Sequence, residues 1–449
     1  MHQYDSWLSA LVLAHVGERI SLPEAPLDLP GDADTLRDAL AGLIRAEGNP
    51  PAQVLELYRE VLALTVISAD SPRFLTFIPA APTKASLLFD MVVSAASLQG
   101  ISWLEAAGAV AAENQALRWI ADLAGLPESA GGTFVSGGSA ANLSALAVAR
   151  DTQRAKRSAA GQSLRPLRIA VSEQAHSSIK HTAGLLDLDL LVVRCADHRF
   201  TGEALAAALA SDPDPSDVIA VVGTSGTTNA GIIDDLEGLS QVARERGLWF
   251  HVDGAYGGAG LVAPSVRDRY RGIENADSFI VDPHKWLFAP FDCAALIYRD
   301  PSLARAVHTQ DASYLDSIHD SDAWNPTDYA YHLTRRARGL PLWFSLAVHG
   351  TKAYEDAVES GITLAQWTAR RIDASDQLTL LREPELSVVL FRREGWQASD
   401  YQRWSDELLR QQIAFVTSTT WEGETVGRLA FVHPGTTTAM VDEILDAMR

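Results

Sequence analysis

Between Gly131 and Tyr298, short apolar runs rich in β-branched residues alternate with longer stretches of helical periodicity, and this alternation restricts the chain to few folds. Runs suited to strands lie at Arg168–Ser172, Leu188–Cys195, Val218–Gly223, Leu248–Val252 and Ser278–Val281. Parallel neighbours need a crossover of a dozen or more residues, commonly a helix, and the intervals between these runs supply it. The pattern predicts an α/β architecture with a mostly parallel sheet, whose ligands gather at the carboxyl ends of the strands. Ahead of it, Met1–Arg19 reads as an amphipathic helix, and a proline-rich stretch from Pro23 to Pro30 separates it from a second helical pattern starting near Asp32. Residues 1–70 are expected to form a helical arm that wraps a partner, and residues 71–340 the large domain. Beyond Pro341, a helical run to about Ile372, a strand-like Ser387–Arg392, a helix near Tyr401–Gln411 and a strand-like Arg428–His433 predict a small α+β domain over residues 341–449.

Charge excludes some functions. The 37 Lys and Arg against 57 Asp and Glu leave a net charge of −20, which repels nucleic acid and anionic lipid, and no block of basic residues offsets it. The only cysteines, Cys195 and Cys293, cannot build a disulfide framework and lack the clustered spacing of a zinc site, so a cytoplasmic protein without a metal is expected. The N-terminus has no basic start followed by an apolar run, and no stretch reaches the roughly 18–20 apolar residues of a membrane span.

Five segments carry chemistry. In Val281-Asp282-Pro283-His284-Lys285-Trp286 a lysine sits just past an apolar strand, where desolvation lowers an ammonium pKa and frees an amine to attack an aldehyde. In Phe250-His251-Val252-Asp253-Gly254-Ala255-Tyr256 an aspartate ends another strand, suited to pair with a pyridinium nitrogen and keep it protonated. Phe134-Val135-Ser136-Gly137-Gly138-Ser139-Ala140-Ala141-Asn142 opens a helical run, Leu143–Arg150, whose free backbone N–H groups, dipole and Ser139 hydroxyl favour a phosphate. His176 follows a strand, where its ring can stack on a planar cofactor, and Gly223-Thr224-Ser225-Gly226-Thr227-Thr228 ends a further strand in hydroxyls. Each alone is an ordinary turn, cap or surface charge; together, at the ligand-gathering end of one sheet, they point to a single site.

These segments resemble the group II pyridoxal-phosphate decarboxylases, the family of aromatic amino acid, glutamate and histidine decarboxylases. The resemblance runs from about Ser71-Pro72-Arg73-Phe74 into the C-terminal domain and is strongest in His-Val-Asp-x-Ala-Tyr at 251–256 and Pro-His-Lys-Trp at 283–286. It implies fold type I, the aspartate aminotransferase-like architecture, and a homodimer binding pyridoxal 5'-phosphate and an amino acid. Carried over, it makes Lys285 the imine lysine, Asp253 the ring-nitrogen partner and His176 the stacking base. Gly138, Ser139 and His284 become phosphate ligands, Ala255 lies beneath the ring, and Thr227 or Thr228 touches the cofactor. Asp282 stands where aromatic decarboxylases commonly have Asn, placing a negative charge beside the phosphate. Tyr314–Arg338 resembles the loop that closes over substrate and supplies a proton-donating tyrosine, for which Tyr329 is the first candidate and Tyr331 the second. Phe77, Ile78 and Pro79, with Trp103 nearby, align with a side-chain pocket, so an aromatic or other apolar substrate is expected. The alternatives are decarboxylation coupled to oxidative deamination, giving an aldehyde, and an acidic substrate; an aminotransferase or a non-catalytic scaffold stands further off.

Overall fold

A computed structural model of the protein describes residues 2–79, 81–164, 167–310, 312–315 and 323–448. Three helices, α1 (Ser6–Ser21), α2 (Ala33–Leu40) and α3 (Pro51–Leu57), form the N-terminal arm, the first two capped by the side chains of Asp5 and Asp32. None of the arm's helical residues is buried, and Trp7 and Leu13 of α1 lie more than half exposed. Two further helices, α4 (Lys84–Ala95) and α5 (Trp103–Leu123), lead into the large domain.

There, β1 (Gly131–Val135), α6 (Gly138–Ala159), β2 (Leu167–Ser172), α7 (Ser177–Leu185), β3 (Leu188–Val193), α8 (Gly202–Ser211), β4 (Val218–Thr224), α9 (Leu236–Arg246), β5 (Trp249–Asp253), β6 (Ser278–Val281) and β7 (Ala294–Tyr298) follow in turn. The strands form one seven-stranded sheet in the order β1-β7-β6-β5-β4-β2-β3, parallel except that β7 runs antiparallel to both of its neighbours. All five strand runs read from the sequence are present. Strands β1 and β7 were not anticipated: one opens with two glycines and the other with two alanines, residues of low strand propensity whose pairing is set by their neighbours.

Both faces of the sheet are buried, and side chains alternate between them with the two-residue period of a strand. Val221, Phe250, Val252, Phe279, Ala295 and Ile297 point into one core, while Ala220, Val222, Trp249, Ile280, Leu296 and Tyr298 enter the other. Helix α6 covers the second face with Ala141, Ala145, Val148 and Ala149, small or slim residues that bring its axis close to the strands. Its last turn carries Lys156 and Arg157, which complement the dipole, but no side chain of the residue before its first turn caps its N-terminus.

After α10 (Pro301–His308), the single helical run expected as far as Ile372 is two helices, α11 (Leu340–His349) and α12 (Thr351–Asp373). They part at Gly350, whose φ of 75° lies in the left-handed region that ends a helix. Helix α12 joins the two domains, since Tyr354, Val358 and Ile362 pack in the large core and Leu364, Ala365 and Ile372 in the small one. The small domain adds β8 (Leu378–Leu380), β9 (Val388–Arg393), α13 (Ala398–Arg410), β10 (Thr419–Trp421), β11 (Glu424–Ala430) and α14 (Thr438–Asp446). Its antiparallel sheet has the order β10-β11-β9-β8, so the strand expected at Arg428–His433 begins earlier and ends earlier, and β8 and β10, three residues each, left no periodic signal. Among the described residues no helix is long and apolar enough to cross a membrane.

Candidate active site

Strand β6 ends at Val281, and the chain turns at once through Asp282 into one helical turn, Pro283–Trp286. Pro283 suits that first helical position because its missing N–H would have no partner there. Lys285 rides this turn with its Nζ 3.0 Å from Asp282 Oδ2. The same oxygen accepts the Gly138 N–H at the start of α6, at 3.2 Å, while the buried Oδ1 has no hydrogen-bond partner among the described residues. A Cβ on Gly138 would meet Asp282 Oδ2 at 3.0 Å and the Ala255 Cβ at 3.1 Å, so any other residue here would push helix and carboxylate apart by a few tenths of an ångström. His284 Nδ1 accepts the Cys293 N–H at 2.9 Å, which leaves the proton on Nε2, 3.7 Å from Asp282. Burial holds the His284 pKa below its ordinary value, against the pull of Asp282.

Asp253 ends β5 and is 4% exposed. Its Oδ1 accepts the Ala255 N–H at 3.1 Å and its Oδ2 accepts the Asn142 amide at 3.0 Å, so the carboxylate is oriented from both sides. His176 stands at the N-cap of α7, its Nδ1 accepting the Ser178 N–H at 3.2 Å and lying 2.8 Å from the Ser178 hydroxyl.

Gly138, Ser139, His176, Asp253, Ala255, Asp282, His284 and Lys285 all line one cavity of about 510 Å³, within the usual range for a small-molecule site. The lysine and the Asp253 carboxylate therefore border a common space. Sequence reasoning overlooked Asn142 and Ser178, which also line it. The one legible signal was an asparagine within an alanine-rich helical face, a residue that is buried only with partners.

A model of the pyridoxal-dependent decarboxylase conserved domain matches residues 35–394, most of the chain. The chain belongs to the pyridoxal-dependent decarboxylase family. It is 27% identical over 455 residues to an aromatic-L-amino-acid decarboxylase of Bacillus atrophaeus, a match covering 98% of this chain and 92% of that protein. It is 31% identical to an L-2,4-diaminobutyrate decarboxylase of Rhizobium meliloti (strain 1021), over 81% of this chain and 74% of the relative. The crystal structure of Oryza sativa TDC with PLP and tryptamine superposes with a TM-score of 0.91 at 22% identity, covering 100% of this chain and 99% of the other, and so shares the fold. The protein is a pyridoxal-phosphate-dependent amino acid decarboxylase of fold type I.

The residues present fit that cofactor. A decarboxylase of this family needs a primary amine, an anion cradle and a carboxylate around one cavity, and Lys285, the N-terminus of α6 and Asp253 provide them. Several expected residues lie elsewhere. Thr227 is buried with its hydroxyl accepting the Ile232 N–H, Thr228 is exposed, and neither lines the cavity. Tyr329 is also turned away: its ring is buried, stacks on Trp324 at 4.1 Å and belongs to the core beneath α6, and burial pushes its hydroxyl up to about 12. Tyr331 lines the cavity instead and is half exposed. Within that loop segment, residues 316–322 and the side chain of Tyr314 lie outside the described residues.

Phe77, Ile78, Pro79 and Trp103 do not reach the cavity of a single chain. Phe77 packs at the edge of Phe415 and is 61% exposed, and its carbonyl accepts a hydrogen bond from Arg428. Ile78 leans on the large core, Pro79 is buried, and Trp103, at the start of α5, is 41% exposed. The apolar part of the wall comes from Leu143, Leu185 and Phe291, with Ala140.

Proposed function

We propose that the protein converts an L-amino acid with an aromatic or other apolar side chain into its amine and carbon dioxide. The observation that carries this reading is the composition of the cavity wall, where Leu143, Leu185 and Phe291 stand over a polar floor and no arginine appears among the described lining residues. An acidic side chain is best held by a bidentate guanidinium, which such a wall does not offer.

Pyridoxal phosphate, when bound, supplies the electron sink that accepts the pair left by departing carbon dioxide. The chain's residues prepare for it. Lys285 offers the amine that tethers the cofactor, and Asp253, held by Asn142 and Ala255, stabilises positive charge on the ring nitrogen. The start of α6, with Ser139, takes the phosphate, and His284 Nε2–H faces the same region. His176 presents a flat ring to the cavity, and Ala255 leaves room beneath it. Tyr331 is the better-placed proton donor to the carbon that loses its carboxylate, because Tyr329 is locked into the core. A homodimer is part of this reading: the exposed Trp7 and Leu13 of α1 and the exposed Trp103 suit a partner subunit, which can bring further side chains to the cavity.

Mass spectrometry of products from the cofactor-loaded protein with tryptophan, tyrosine, phenylalanine, histidine, glutamate, aspartate and 2,4-diaminobutyrate tests the proposal. Amine from the aromatic amino acids supports it. Turnover confined to the acids or to diaminobutyrate refutes the substrate class, and aldehyde with peroxide and ammonia in place of amine refutes the product.

A further inference from the structure

Behind the cavity wall, a chain of buried polar groups joins Asp253 to His176, and its proton directions follow from chemistry alone. Asp253 is an acceptor, so the amide group of Asn142 that faces its Oδ2 at 3.0 Å must be the nitrogen. The carbonyl of Asn142 then faces His251 Nε2 at 2.8 Å, and only a protonated Nε2 satisfies it. His251 is wholly buried and burial lowers its pKa, so the ring is neutral and its Nδ1 accepts the Ser278 hydroxyl at 2.8 Å. The Ser278 oxygen in turn accepts the Trp249 indole N–H, a group that can only donate, at 2.9 Å.

The second amide hydrogen of Asn142 goes to Ser178 Oγ at 3.0 Å. Because His176 Nδ1 takes the Ser178 N–H at 3.2 Å it carries no proton, so the Ser178 hydroxyl, 2.8 Å away, donates to it. His176 must therefore carry its proton on Nε2.

We infer that Asn142 is a positioning residue that couples the two cavity-facing groups, holding one oxygen of Asp253 and orienting the Ser178 hydroxyl, which together with the Ser178 N–H keeps His176 in the tautomer protonated on Nε2. The inference rests on the reading of Asp253 and His176 as cofactor-facing residues. Its physical basis is that a buried amide has no freedom to rotate while a carboxylate, a hydroxyl and an imidazole each satisfy one of its atoms. His251, locked from behind by Ser278 and Trp249, is what keeps the amide the right way round.

The test uses apoprotein labelled with nitrogen-15 in histidine, together with cofactor titration followed by absorbance. In the wild type, the His176 signals, assigned by loss in His176→Gln, are expected to show a bare Nδ1 and a protonated Nε2. Asn142→Leu should mix the His176 tautomers and raise the pyridoxal phosphate dissociation constant by about tenfold or more, the scale of losing a hydrogen bond to a charged group. His251→Phe, which keeps the ring volume but not the donor, should do the same, while His251→Gln, which keeps a donor, should restore both readouts to within a few-fold of wild type. If Asn142→Leu does not fold, the His251 pair carries the test.

A purely structural network would lower the melting temperature and leave the tautomer and cofactor affinity unchanged, and that result overturns the inference. Failure of the underlying reading looks different: the wild-type protein itself would then show no Lys285-dependent cofactor absorbance.

Discussion

Asp282 Oδ2 lies 3.0 Å from Lys285 Nζ and also accepts the first N–H of α6, so one carboxylate serves both the amine and the cradle expected to hold a phosphate. It is 1% exposed, and water cannot screen it well. An incoming phosphate meets a negative charge already seated on its own helix terminus.

Asp282→Asn should therefore tighten cofactor binding. Removing the charge while keeping a side chain of the same shape removes the repulsion, and an amide can donate to a phosphate oxygen. The pyridoxal phosphate dissociation constant is expected to fall roughly tenfold at low ionic strength, and by less at high salt. Titration at two salt concentrations measures this; weaker binding in the variant would show that the carboxylate helps the cofactor.

Lys285→Ala should lose both turnover and the visible absorbance of the lysine-bound cofactor. Mass spectrometry after borohydride treatment of the loaded wild type should find one cofactor mass, on the peptide containing Lys285. Labelling on another lysine would end the assignment.

The two loop tyrosines separate cleanly. Tyr331→Phe is expected to lower kcat by about a hundredfold or more, the usual range for losing a positioned general acid, with little change in cofactor affinity. Tyr329→Phe should leave kcat within a few-fold, whereas Tyr329→Ala should cost about 3 kcal/mol of stability by emptying the space beside Trp324. Rates and denaturant midpoints decide between them, and a slow Tyr329→Phe enzyme of normal stability would reverse the roles.

The buried histidines should lower stability on the acid side of neutrality, against an opposing contribution from Asp234, whose carboxyl burial pushes up to about 7. His251, His284, His308 and His433 all have pKa values lowered mainly by burial. Their folded values lie below the unfolded value near 6.5, so below that pH the unfolded chain takes up protons that the folded chain refuses. The stability they contribute is present above about pH 6.5 and is lost as pH falls toward their folded values, for His251 by up to about 1.4 kcal/mol per pH unit. Urea denaturation of the apoprotein between pH 7.5 and 5 at constant ionic strength measures the slope, and His251→Phe should make it shallower. Equal slopes in wild type and His251→Phe would mean that this ring takes up its proton as readily in the folded chain as in the unfolded one.

Much of this protein was legible in one dimension because its signals are local. The strand runs at 168–172, 218–223 and 278–281 announce themselves by composition, since both faces of their sheet are buried and, apart from Arg168 at the rim, every residue is apolar or small. Lys285, Asp253 and His176 could be singled out because each lies at the end of a strand or about four residues beyond one, and the ends of parallel strands converge. What depends on distant segments meeting had no such signal. Strands β1 and β7 exist because each pairs with the other across more than a hundred residues of chain. Which of Tyr329 and Tyr331 borders the cavity was decided by which ring the core swallowed, and the absence of Phe77 and Trp103 from the cavity by where the small domain and α5 place them. Asn142 gained its meaning only when α6 lay across β5 and beside α7, because hydrogen-bond partnership is a property of three-dimensional neighbours and spacing along the chain does not encode it.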